Sequence, residues 1–151
     1  MRLIAGATLV VLLSASIATA QALPAFNTAR LYTTEADFTR AIQPYAQAVA
    51  ANARNARAQY WLGYAHLYAY TLWLQGGAPY ASGFLPKAID ALNKAIEADP
   101  RAIAPYLALH DAYVLAGEDD KANDVTARML ENTRPRWLAP IPAPPSGSTG
   151  R

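Results

Sequence analysis

Apolar positions in this chain fall into two regimes. From Leu3 to Ile17 they form an almost unbroken run, whereas from residue 24 onward they mix with polar positions at three- and four-residue spacing. That second spacing stacks side chains on one face of a helix. It predicts helices near 24–33, 35–51, 55–74, 86–98, 103–116 and 119–132, and therefore an all-α domain. Asp99-Pro100 and Gly117 are the clearest stops. Pro24 and Pro105 each suit the first turn of a helix. Pro44 lies inside the second predicted helix and is expected to kink it or to shorten it from the N-terminal side.

The predicted helices are self-similar. Ala41-x3-Tyr45-x2-Ala48, Ala88-x3-Leu92-x2-Ala95 and Ala122-x3-Thr126-x2-Met129 each set small residues against a larger one, then break after about five residues. Ala88 and Ala122 are 34 residues apart, and Ala41 and Ala88 are 47 apart, so the second step exceeds the first by 13. The breaker-rich stretch from Gln75 to Phe84, with Gly76, Gly77, Pro79 and Gly83, accommodates an insertion of that size. A 34-residue period is the mark of a helix-pair repeat. Small residues at Gly63, Ala88, Ala95 and Ala122 allow paired helices to approach closely while larger neighbours fill the grooves.

On these residues the chain resembles the tetratricopeptide repeat. Tyr106-x2-Leu109-His110-x2-Tyr113, Gly117 and Ala122-x3-Thr126 follow its pattern, as do Leu62-Gly63-x2-His66, Ala88-x3-Leu92-x2-Ala95 and Pro100. A first copy runs through Ala29, Tyr32, Phe38, Ala41, Tyr45 and Ala48. Gln59 stands at the usual tryptophan position, His66 at the tyrosine, His110 at the small residue and Thr126 at the large apolar one. The resemblance implies a short right-handed superhelix of about 2.5–3 repeats in a domain over residues 21–133. It also implies that the first helix of each pair lines a concave, partner-binding groove. By position that groove receives Arg57, Tyr60, Tyr64, Leu67 and Tyr68 from one helix, and Leu107, Asp111, Val114 and Leu115 from the next.

Composition sharpens the ends of the chain more than its middle. Arg2, the apolar run to Ile17 and the small-x-small Ala18-Thr19-Ala20 read as a cleavable signal peptide over residues 1–20. The run is short of the roughly 20 apolar residues that span a bilayer. Export is therefore expected, to the periplasm, cell envelope or exterior, with no integral membrane segment after cleavage. The chain contains no cysteine, so stability must come from packing. Without Arg2, the 13 Lys and Arg become 12 against 11 Asp and Glu. That balance gives no footprint for nucleic acid. Residues 134–151 carry Pro135, Pro140, Pro142, Pro144 and Pro145 and end in Ser, Gly and Thr, which is read as a disordered tail. Trp137 makes a docking role for this tail the competing reading.

Candidate chemistry is sparse. The two histidines, His66 and His110, fall at helix-packing positions, and no nucleophile motif or phosphate loop accompanies them. His110 and Asp111 are adjacent, and neighbouring positions diverge around a helix, so His110 is expected at the pair interface and Asp111 away from it. Glu118, Asp119, Asp120 and Asp124 lack calcium-loop spacing and suit a helix N-terminus instead. Neither an enzyme nor a cofactor or metal site is expected. The richest feature is aromatic: eight of the chain's 15 aromatic residues lie from Tyr60 to Phe84. Tyr60, Tyr64 and Tyr68 recur every four residues as one ridge, open as a groove or covered as core. The expected function is an exported module that holds a peptide or protein segment of a cell-envelope partner. Small-ligand or glycan stacking on the rings and self-association as a homo-oligomer are the alternatives.

Overall fold

Side-chain caps fix where the helices start. Thr34 accepts a hydrogen bond from the N–H of Asp37 at 3.2 Å and opens α1, Glu35–Ala51. Asn55 accepts from the N–H of Ala58 at 3.0 Å and opens α2, Ala56–Leu74. There follow α3, Phe84–Ala98, α4, Ile103–Leu115, and α5, Asp119–Thr133, with a single 3-10 turn at Pro79–Ala81. The computed structural model describes residues 23–135 and 138, and among them the protein is all-α. The predicted signal peptide and most of the Pro-rich tail, Trp137 included, lie outside the described residues.

The helices fold back on one another as hairpins. α2 packs most extensively on α3 and α4 on α5, while α3 meets α4, α1 meets α2, and α2 also touches α4. The first helix of one hairpin thus lies beside the first helix of the next, in a helical-repeat-like arrangement. Gly63 sets the closest approach: a Cβ there would stand 2.8 Å from Leu92 Cγ and 3.1 Å from the Ala88 carbonyl oxygen. Ala88, Ala95 and Ala122 are buried on the facing helices. Gly117 ends the second hairpin's first helix with φ of 73°, and the N–H of Glu118 returns to the Tyr113 carbonyl at 2.9 Å. Gln59, the one buried polar side chain among the described residues, donates to the Ala53 carbonyl at 3.0 Å.

Two expectations are corrected. Residues 24–33 form no helix; residues 23–34 are an irregular strap laid over α1 and α2. Local bonds favour this path, because Asn27 Oδ1 accepts the N–H of Ala29 at 3.0 Å and the Tyr32 hydroxyl donates to the Asn27 carbonyl at 2.9 Å. Phe26 and Tyr32 stack at 5.2 Å and are both buried. Residues six apart lie about 120° apart around a helix, so a helical strap could not seat both rings in one core. The second is the shortening of the helix at Pro44: α1 runs through that residue from Glu35 to Ala51. Pro44 sits on the solvent face, where the carbonyl it leaves unbonded can reach water.

The core has two lobes. One gathers Phe26, Tyr32, Phe38 and Tyr45 around the alanines and Leu72 of α2, closed by Ala78, Ala81 and Phe84 of the inserted stretch. The other joins Leu67 to the inner faces of α3, α4 and α5. Tyr64 borders both lobes.

Candidate functional site

The first helix of each hairpin is apolar around most of its circumference, and this places the site. On α4, Tyr106, Leu109 and Ala112 are buried, yet Ile103, Leu107, Val114 and Leu115 remain 52, 53, 48 and 38% exposed. Helices apolar on all sides are ordinarily covered on all sides. α5 follows the opposite rule, burying Ala122 and Val125 and turning a charged face to water. Other exposed apolar side chains, Leu31, Trp73, Leu74 and Leu130 among them, are spread over the strap, the end of α2 and α5, whereas α4 gathers four on one helix.

On α2 the tyrosine ridge divides. Tyr60, Trp61 and Tyr64 form a half-buried ring cluster, with centroids 4.7 Å apart for Tyr60 and Trp61, 5.8 Å for Tyr60 and Tyr64, and 5.9 Å for Trp61 and Tyr64. Burial pushes the Tyr60 phenol above its usual range, and the neighbouring Tyr64 adds to this. Neither hydroxyl has a protein partner among the described residues, and neither is sealed from solvent. Tyr68 differs. Its hydroxyl donates to the Thr28 carbonyl at 2.8 Å and lies 3.3 Å from the Arg30 carbonyl, and its ring packs edge-on against Phe26 at 5.8 Å.

The residues assigned to the groove by sequence thus separate into three sets. Tyr60, Tyr64, Leu107, Val114 and Leu115 lie on half-buried or open surface of α2 and α4. Arg57 and Tyr68 hold the strap, Arg57 through a 2.8 Å bond from Nη2 to the Leu23 carbonyl. Leu67 is not groove at all; it is 6% exposed and belongs to the second core lobe. Asp111 is exposed, and His110 Nδ1 lies 3.3 Å from its Oδ1. Adjacent positions therefore do meet here, contrary to the expected divergence, at a solvent-accessible place on α4. Sequence reasoning missed Ile103 and Trp61. Ile103, Leu107, His110 and Val114 recur at four, three and four residues, a stripe legible in the sequence once α4 is recognised as apolar on its other side too.

Two further expectations resolve here. His66 lies against Phe38 and Phe84 at 5.6 and 5.1 Å, and its Nδ1–H donates to the Leu62 carbonyl at 2.8 Å. Burial is the main influence lowering its pKa, opposed by that backbone bond and reinforced by Lys87. It is a core residue with a partner. Glu118 does not cap α5 with its side chain; it pairs with Lys121 instead, while Asp119 and Asp120 occupy the first turn. A depression of about 710 Å³ is lined by α1 alone, along Ala36, Thr39, Gln43 and Ala46, and is the surface of one helix rather than a cleft. Among the described residues no group of three or more His, Cys, Asp or Glu side chains could hold a metal, and no helix is long and apolar enough to cross a membrane.

No protein-family model matches the chain, and comparison with characterised proteins returns no match.

Proposed function

We propose that the protein is an exported, tetratricopeptide-like interaction module that holds a peptide or protein segment on the face shared by α2 and α4, acting by binding rather than catalysis. One observation carries this reading: α4 keeps Ile103, Leu107, Val114 and Leu115 in water although its opposite side is core. The Tyr60–Trp61–Tyr64 cluster adds half-buried amphipathic rings, a chemistry suited to interfaces. Export rests on the run from Leu3 to Ile17 with Ala18-Thr19-Ala20 behind it. Covering one fully exposed aliphatic side chain contributes about 1.5–3 kcal/mol, and these are half covered already. After the cost of ordering the segment, an affinity of about micromolar is expected.

Selection of a displayed peptide library on the processed protein tests the reading. Leu107→Glu and Tyr64→Ala should each weaken selected peptides at least about tenfold, while Lys94→Glu on the exposed side of α3 should not. Circular dichroism should show unchanged helicity in all three. Peptides that bind the Leu107→Glu protein as well as the unmodified one would remove this face from consideration.

A further inference from the structure

The strap is held as a bound peptide is held. Four side chains from three elements donate to its main-chain carbonyls: Arg57 to Leu23 at 2.8 Å, Tyr45 to Pro24 at 3.1 Å, Tyr68 to Thr28 at 2.8 Å, and Tyr80 to Tyr32 at 2.7 Å. Carbonyls are common to every residue, so these bonds read the path of the backbone and not its sequence. Only two strap side chains enter the protein fully, Phe26 at 6% and Tyr32 at 3% exposure, while residues 27–31 between them are exposed. Phe26 sits among Tyr32, Phe38, Tyr45 and Tyr68, with ring centroids 5.2 to 6.5 Å away.

The strap also runs as a groove ligand would run. Between its contacts with Arg57 and Tyr68 the α2 helix advances 11 residues, or about 16 Å, and the strap covers the same stretch between Leu23 and Thr28. The strap therefore lies along one flank of the same tyrosine ridge whose other flank borders α4.

We infer that this aromatic cradle is a main-chain-directed peptide site occupied in cis, and that it accepts in trans a segment that turns between two aromatic rings six residues apart and stacks them as Phe26 and Tyr32 are stacked. The inference deepens the binding reading given above and rests on it, because it names the partner's chemistry: an irregular, aromatic-spaced segment resembling the strap itself. The strap is then a built-in competitor, whose tethering keeps its local concentration high and sets a threshold for any partner. Release of the strap would also free Tyr68 and extend the open ridge of Tyr60 and Tyr64 by about one further turn.

The test uses a labelled peptide with the sequence of residues 23–33, titrated onto the processed protein and onto its Phe26→Leu variant. Weakening the cis occupant raises the fraction of open sites, so the variant should bind at least about tenfold tighter. A peptide with both rings replaced by alanine should bind neither protein. Adding Tyr68→Phe to the variant should weaken binding again, since the hydroxyl is lost and the ring kept. If Phe26→Leu compromises folding, hydrogen exchange on the unmodified protein decides: excess peptide should speed exchange of the strap's own amides and leave α5 unchanged. Equal affinity for both proteins, equal binding of the ring-less peptide, strap exchange into a dimer without peptide binding, or strap amides indifferent to peptide would each overturn the inference. Leu107→Glu should leave strap-peptide binding intact, so failure here alongside persistent Leu107-dependent binding removes this inference alone.

Discussion

Gly63 shows how one residue sets helix spacing. Alanine there would gain about 1 kcal/mol of helix propensity. Against this, the added methyl meets Leu92 Cγ at 2.8 Å and the Ala88 carbonyl at 3.1 Å, neither of which is a freely moving side-chain end. Overpacking of this kind costs about 1–3 kcal/mol, so steric conflict wins. Gly63→Ala should lower the melting temperature by several degrees, measured by circular dichroism; an unchanged or higher value would show that α2 and α3 can part freely. His66 makes a second prediction at this scale. Its folded pKa is lowered, so the unfolded chain binds more protons just below the ordinary value near 6.5. The contribution is complete above that value and is lost as pH falls through the folded pKa. Denaturant melts should show the His66→Phe protein losing less stability than the unmodified one between neutral pH and pH ~5. Of these residues, Gly63 was legible from its spacing to Ala88 in the repeat pattern. The role of Gln59 was not, because its partner carbonyl at Ala53 depends on how the α1–α2 turn is built.

At the scale of elements, the strap explains why equal sequence signals have unequal roles. Tyr60, Tyr64 and Tyr68 look alike along α2, and the helix's own pattern offers no face to distinguish them because it is apolar on several sides. Only the distant chain from Leu23 to Thr34 separates them. Tyr68→Ala removes a ring packed on Phe26 and Tyr32 together with a hydrogen bond, and should cost about 3 kcal/mol. Tyr60→Ala, which removes a half-buried ring packed on Trp61 and Tyr64 but no contact with the strap, should cost less than about 1.5 kcal/mol in the same urea titration; equal losses would contradict the division of the ridge. The strap has a pH signature as well. Burial raises the phenol pKa of Tyr32, Tyr45 and Tyr80, all of which bond within or onto it. Groups raised above their unfolded value near 10 stabilise fully below it and lose that contribution as pH climbs through the folded pKa. Strap amides should therefore exchange faster above pH ~10 than base catalysis alone explains, before α4 and α5 open. The expected helix over 24–33 failed for a related reason. Pro24, Ala29 and Tyr32 fit a repeat register, but ring burial six residues apart overrode it.

For the whole molecule, the apolar first helices and amphipathic second helices divide labour. α3 and α5 close the hairpins with polar outer faces, whereas α2 leaves rings half-buried and α4 leaves aliphatic side chains exposed. The all-α class, the five helices from residue 35 onward and the α2–α3 approach were legible because caps, stops and 3.6-residue spacing are local signals. The site was legible only as a list of positions. Its partition into open face, strap clamp and core depended on contacts between segments up to 48 residues apart, such as Tyr68 with Thr28 and Tyr80 with Tyr32. The most direct test places a photoreactive amino acid at position 107, and in a separate protein at position 94, and irradiates each in living cells. A distinct adduct from position 107, absent from position 94 and lost when Tyr64→Ala is added, is the predicted result. The same adducts from both positions, no adduct from position 107, or an adduct only with a second copy of this chain would contradict a partner-binding face on α2 and α4.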